Sequence, residues 1–238
     1  MSTKSRWING ALVFFDSFGH RLLDAFGNNV HKYIEDFIAL PVDDTTGDPT
    51  GWNVAVVEAG DGDSTMSLVD AQGGVVKLQA AGNENDGYNT ALKGESWKLT
   101  TDDVLYFGAK IKLDEATQSD FMIGLAVSSE SMLAGVTDGV YFRKVDGVTS
   151  CKFVSEKDST ETESTAMTVA AATWYTVEFY FDGSGKVYAY VDGVLVATHT
   201  TNVPDDEELT VSIAYLNGAA QASKGLYIDW IRCIQIMN

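Results

Sequence analysis

The strongest constraint in this chain is a rhythm: short apolar-rich runs, each closed by a cluster of Gly, Asp or Asn, recurring about every ten residues. In "DVLYFGAKIKL" the residues Leu105, Phe107, Ala109, Ile111 and Leu113 share one face, at the two-residue period of a strand. The same reading predicts strands in "IEDFIALPV", "WNVAVVEAG", "STMSLVDAQGG", "VVKLQAAG", "FMIGLAVSS", "GVYFRKVDG", "TSCKFVSEK" and "AMTVAAA". "WYTVEFYFDG", "KVYAYVDG", "VLVATHTT", "LTVSIAYLNG" and "GLYIDWIRCIQI" complete the series. Many short strands with turn residues between them, and no heptads, point to an all-β, two-sheet antiparallel sandwich. A chain of 238 residues, 45% of them hydrophobic, can fill one such core and carry an extension.

Turn chemistry supports the reading. Asp182-Gly183 and Asp192-Gly193 bring the positive φ that tight hairpins need. Between them Val187, Ala189 and Val191 share one face and Tyr188 and Tyr190 the other, so both faces of this strand can be covered.

Residues 1–33 differ from the rest. Phe18, Leu22 and Phe26 recur at four-residue spacing, with Asp16 or Ser17 available as a cap and Gly27-Asn28 as a stop, which predicts a short helix. The segment reads as an N-terminal arm for docking or oligomerisation, ahead of a sandwich over residues 34–238. Lys4, Arg6, Arg21 and Lys32 face only Asp16 and Asp24 within it, a local charge of +2, which leaves −20 on the remainder of a chain with net charge −18.

A body this acidic repels phosphates, so nucleic acid is not an expected partner. No apolar run approaches the ~20 residues of a membrane span, and "MSTKSRWINGALVFFDSFGH" lacks the pattern of a secretion signal. Folding in a cytosol is expected, with Cys151 and Cys233 as buried thiols.

"WYTVEFYFDGSGKVYAYVDGVLVATHTT" resembles the late strands of concanavalin-like jelly rolls, among them laminin-G-like and laminarinase-type domains. "GLYIDWIRCIQI" resembles their closing strand. The resemblance implies a jelly roll, a fold shared by lectins, hydrolases and coat proteins, so function rests on the site and not on the fold. "GGVVKLQAAGNENDGYNTAL", preceded by "DFIALPV", resembles jelly-roll structural proteins of tailed-bacteriophage virions, which implies a decoration role on a particle assembled in a host cytoplasm.

Laminarinase-type hydrolases carry E-x-D-x-x-E on one strand, its two glutamates about 5 Å apart for retaining cleavage. The string occurs here as Glu156, Asp158 and Glu161, but Lys157, Ser159 and Thr160 replace apolar intervening residues. The run therefore reads as a solvated loop or hairpin tip, and no catalytic residue is assigned. His20, His31 and His199 are too scattered for a zinc site or a triad. Asp43, Asp44, Asp48, Asp61, Asp63, Asn83, Asn85 and Asp86 are hard oxygen donors that suit calcium. The same residue types populate turns for backbone reasons, and the EF-hand-like start at Asp61 meets Gln72 where the bidentate Glu belongs. No cofactor is required. Trp52, Trp97, Trp174 and Trp230 read as core, and Tyr88 as the most exposed ring for a sugar.

The expectation is a non-enzymatic virion protein, a capsid decoration or accessory subunit. It would bind a major capsid protein or other virion subunits through Trp7, Leu12, Phe14, Phe15, Leu22 and Phe26, as a homo-oligomer such as a trimer. A carbohydrate-binding module is the alternative, and a glycoside hydrolase a more distant one.

Overall fold

The computed structural model describes residues 3–16, 19–60, 62–221 and 223–238, and every regular element among them is a strand. Strands β1 (Lys4–Ile8), β2 (Ala11–Phe15) and β3 (Leu22–Phe26) form a three-stranded antiparallel sheet. Then come β4 (Val30–Glu35), β5 (Trp52–Val57), β6 (Thr65–Val69), β7 (Val75–Gln79), β8 (Gly87–Leu92) and β9 (Val104–Leu113). Next are β10 (Ser119–Ala126), β11 (Gly139–Lys144), β12 (Ser150–Lys157), β13 (Thr160–Thr168) and β14 (Trp174–Phe181). The last four are β15 (Val187–Val191), β16 (Val194–His199), β17 (Thr210–Asn217) and β18 (Gly225–Ile236).

Two large sheets make the sandwich. One runs β13-β12-β11-β10-β17-β8-β5; the other runs β16-β15-β14-β9-β18-β7-β6, with β4 also paired to β18. The twelve-residue β18 lies along β9 on one side. On its other side it pairs with β7 through Ile228 and with β4 from Ile231, and a bulge at Asp229 separates the two halves. Alternation along β9 holds as read: Leu105, Phe107, Ala109, Ile111 and Leu113 all point into the core. Phe107 stacks on Phe179 at 5.1 Å, and Phe153 tilts against both Phe142 and Phe179. Burying each such ring contributes on the order of 2–3 kcal/mol. Asp192 (φ 50°) and Gly193 (φ 80°) make the two-residue turn between β15 and β16.

Several expectations need correction. The predicted helix does not occur among the described residues: Leu22–Phe26 is a strand paired with β2, and Ser17 and Phe18 lie outside them. A bulge opposite the Phe14–Phe15 step makes Leu22 and Ala25 face inward while Phe26 faces out, so the four-residue spacing there is not helical. "ALVFF" is β2, and "GYNTAL" is a buried inner strand, so Tyr88 is 2% exposed instead of presented to solvent. The first strand of the "IEDFIALPV" region begins earlier and ends at Glu35. "AMTVAAA" supplies only the end of β13. Cys151 and Cys233 are buried and unpaired, as read.

Candidate functional site

The small sheet β1–β3 is clamped to the sandwich. Ala11, Val13, Leu22 and Ala25 pack on Val104, Tyr106, Ile234 and Ile236, on the outer face of the sheet that holds β9 and β18. Arg21 crosses the joint and grips the fully buried Glu178 of β14, with Nε 2.5 Å from Oε1 and Nη2 2.6 Å from Oε2. Tyr106 donates its hydroxyl to the same carboxylate at 2.8 Å, and Asp16 takes Nη1 of Arg21 at 3.1 Å. His20 stacks flat on Tyr190 at 3.5 Å. Burial opposes the Glu178 charge, but Arg21, with His20 3.7 Å away and the Tyr106 hydroxyl, outweighs it and holds the carboxyl below its usual range. A lone charged residue among the aromatics of "VEFYF" was the available sequence signal for this clamp.

The opposite face of the small sheet is open. Trp7, Leu12 and Phe26 lie side by side across its three strands, with Phe14 and Asp24 as the next pair along. Trp7 is 71% and Phe26 55% exposed, Leu12 and Phe14 are half-buried, and Phe14 meets Phe26 edge-on at 6.0 Å. Lys32 stands over the Phe26 ring at 4.3 Å while bonding Asp24 at 2.6 Å. Of the six residues assigned to partner contact, Trp7, Leu12, Phe14 and Phe26 therefore share one outward face. Leu22 is spent on the chain's own core, and Phe15, half-buried, is capped by Arg6 at 4.8 Å.

The E-x-D-x-x-E string folds as a hairpin, with Asp158 and Ser159 at its tip (φ 50° and 59°). Glu156 and Glu161 face each other across β12 and β13. Both are engaged: Tyr141 donates to Glu156 Oε2 at 2.5 Å, and Arg143 forks onto Glu161 at 2.5 and 2.7 Å. Burial pushes the Glu156 carboxyl up, against the pull of the Tyr141 hydrogen bond. The connection over 127–138 lies across this face, where Met132, 3% exposed, packs with Met122, Tyr141, Val154, Ala91 and Ala214. Next to Met132 a polar depression of about 390 Å³ is lined by Asn53, Asn89, Ser128, Ser129 and Glu130. Asn89 is 2% exposed, and its Oδ1 has no hydrogen-bond partner among the described residues.

Two of the calcium candidates serve the backbone. Asp43 Oδ1 accepts the Thr45 and Thr46 amides, and Asp86 accepts those of Ala59 and Asn83. Asp44, Asp48, Asp63, Asn83 and Asn85 sit in or beside these turns; Asp61 lies outside the described residues. No group of three His, Cys, Asp or Glu side chains able to hold a metal ion occurs among the described residues. His199 lies between Ser155 and Ser164, and no hydrogen bond or ion pair joins it to an acid among the described residues. Trp52 and Trp97 are buried, whereas Trp174 and Trp230 are half-buried on the outer face, under Lys110, Lys112 and Arg232.

This architecture has known counterparts. Protein SO2946 of Shewanella oneidensis MR-1 superposes with a TM-score of 0.60 at 13% identity, covering 87% of each chain. An endo-1,3-β-glucanase of Streptomyces sioyaensis gives 0.60 at 9% identity, over 90% of this chain and 99% of that one. The CBM2 module of an evolved Dit protein from Lactobacillus casei BL23 phage J-1 gives 0.55 at 11%, over 88% and 97%. At such identities the likeness establishes the concanavalin-like jelly-roll fold. No curated protein matches the sequence. The family model described as SO2946-like, C-terminal domain, matches residues 71–229, from the turn before β7 to the bulge in β18. The chain belongs to the SO2946-like C-terminal domain family.

Proposed function

We propose that this chain is a structural protein of a tailed-bacteriophage virion, a capsid decoration or accessory subunit that attaches through the outer face of β1–β3. The observation that carries the reading is the stripe of Trp7, Leu12, Phe14 and Phe26, which stands outward on a sheet whose other face is locked to the body by Arg21 and Glu178. Such a stripe is out of place on a free surface and suits a buried interface. The −20 charge of residues 34–238 favours the exterior of a particle, away from packaged DNA. Resemblance to phage virion proteins supplies the setting, and a fold shared with a module of a phage protein is consistent with it. The reading assigns no catalytic role, and the engagement of Glu156 by Tyr141 and of Glu161 by Arg143 supports it.

Shells of the phage that encodes this chain, stripped of it, test the reading by co-sedimentation. Wild-type protein pellets with the shells; Phe26→Glu, at an exposed site, stays in the supernatant. Equal pelleting of the two proteins rejects the docking face.

A glycan-binding role is the second reading, favoured by the orphaned Asn89 Oδ1 beside the polar depression at Ser128, Ser129 and Glu130. A glycan array tests it, with loss of any signal in Asn53→Ala as the control.

A further inference from the structure

The two open sides of the sandwich are built differently. On one side β13 and β16 are the edge strands. There Glu161 and Glu163 of β13 engage Arg143 and Lys152, and Thr162 bonds Thr201. Charged side chains along an edge oppose further strand pairing. On the other side the edges are β5, "WNVAVV", and β6, "TMSLV", neither with a charge or a proline. Between them runs a trench of about 880 Å³ floored by Leu40, Val42, Val56, Met66 and Leu68. Val42 is 47% exposed, and Val56 and Leu68 are 44% exposed. Asp48, Glu58 and Asp63 also line it, and no Lys or Arg does.

The chain carries a segment with matching chemistry. Strand β1, "KSRWI", is the edge of the small sheet, hydrogen-bonded on one side only. Lys4, Ser5, Arg6 and Trp7 are all exposed. It has five residues, as β6 has, so the two strands span equal lengths. Lys4 and Arg6 are opposite in sign to the trench acids, and Trp7 offers a large ring to its aliphatic floor. Its own trench is out of reach: the small sheet packs over β9, β14 and the far half of β18, and β7 stands between β18 and β6.

We propose that the trench between β5 and β6 receives strand β1 of a second copy of this chain, by strand addition. Backbone groups of a free edge supply the hydrogen bonds, Trp7 the apolar contact, and the Lys4 and Arg6 charges the orientation. The two surfaces differ, so the contact is head-to-tail and yields a ring when the rotation closes. It shares Trp7 with the shell-docking stripe proposed above, whereas Phe26 and Phe14 serve docking alone and Val56 the trench alone.

Light scattering after size exclusion, on the full chain, tests the inference. Wild-type protein forms a closed oligomer that dissociates on dilution. Val56→Lys and Trp7→Glu, both at exposed positions, each run as monomers with unchanged melting curves. Mixed in equal amounts they form a dimer, because one copy keeps an intact trench and the other an intact β1. A wild-type protein monomeric at every concentration overturns the proposal. So does an oligomer unaffected by Val56→Lys, or a mixture that stays monomeric. Val56→Lys still pellets with shells if the docking reading holds, so failure of one proposal is distinguishable from failure of the other.

Discussion

Arg21 reaches from the N-terminal sheet to both carboxylate oxygens of Glu178, at 2.5 and 2.6 Å, where Glu178 is fully buried and Arg21 only 13% exposed. A pair this enclosed is a poor source of net stability, since desolvating the two charges cancels much of their attraction. Losing one partner is another matter. Arg21→Met leaves a buried carboxylate without its counter-charge and should cost about 3–5 kcal/mol. Urea titration measures the loss, and a change below about 1 kcal/mol would contradict the clamp.

The same carboxylate makes the attachment of the arm acid-sensitive. Glu178 is held below its usual range when folded, so its contribution is fully present above the unfolded carboxylate value of about 4.3. It is lost as pH falls through the lower folded value. Hydrogen exchange at the amides of β2 and β3 should accelerate in that acid window, and less steeply in Glu178→Gln.

Leu22 and Phe26 are four residues apart and face opposite ways. Leu22→Ala empties a site in the joint between the sheets and should cost about 2–5 kcal/mol. Phe26→Ala, on the open face, should change stability by less than about 0.5 kcal/mol. Thermal melts of the two variants separate a core residue from a proposed docking residue.

Glu156→Gln keeps an acceptor for the Tyr141 hydroxyl and removes a charge that burial disfavours. The variant should melt no lower than wild type at neutral pH. Neither protein should release reducing sugar from β-1,3-glucan; release by wild type that vanishes in Glu156→Gln would restore the hydrolase reading.

Calcium and a chelator should leave the melting temperature unchanged, because Asp43 and Asp86 already accept backbone amides. Asp86→Ala should lower stability by about 1–3 kcal/mol by orphaning the Ala59 and Asn83 amides. A calcium-dependent rise in wild type would overturn this account of the turns.

How much of this was legible in the sequence differs from element to element. Strand β9 was plain because Leu105, Phe107, Ala109, Ile111 and Leu113 keep one face apolar without interruption. Strand β3 was not: a spacing of four suits one helix face as well as one strand face, and the bulge that decides between them is set by pairing with β2. Strand β8 hid behind Gly87 and Asn89, types that are depleted in strands but tolerated here between β5 and β17. The proposed docking face was half legible. Its apolar residues could be named, but which of them turn inward follows from tertiary packing on Val104, Tyr106, Ile234 and Ile236. The β5–β6 trench had no local signature, since it exists only where two distant edges end side by side.

The most direct test of the account is co-sedimentation of Phe26→Glu and Leu195→Glu with stripped phage shells. Both sites are more than half exposed, on the small sheet and on the β15–β16 hairpin respectively. The account predicts that Phe26→Glu fails to pellet while Leu195→Glu pellets like wild type. Undiminished pelleting of Phe26→Glu, or no pelleting of wild type, would contradict it.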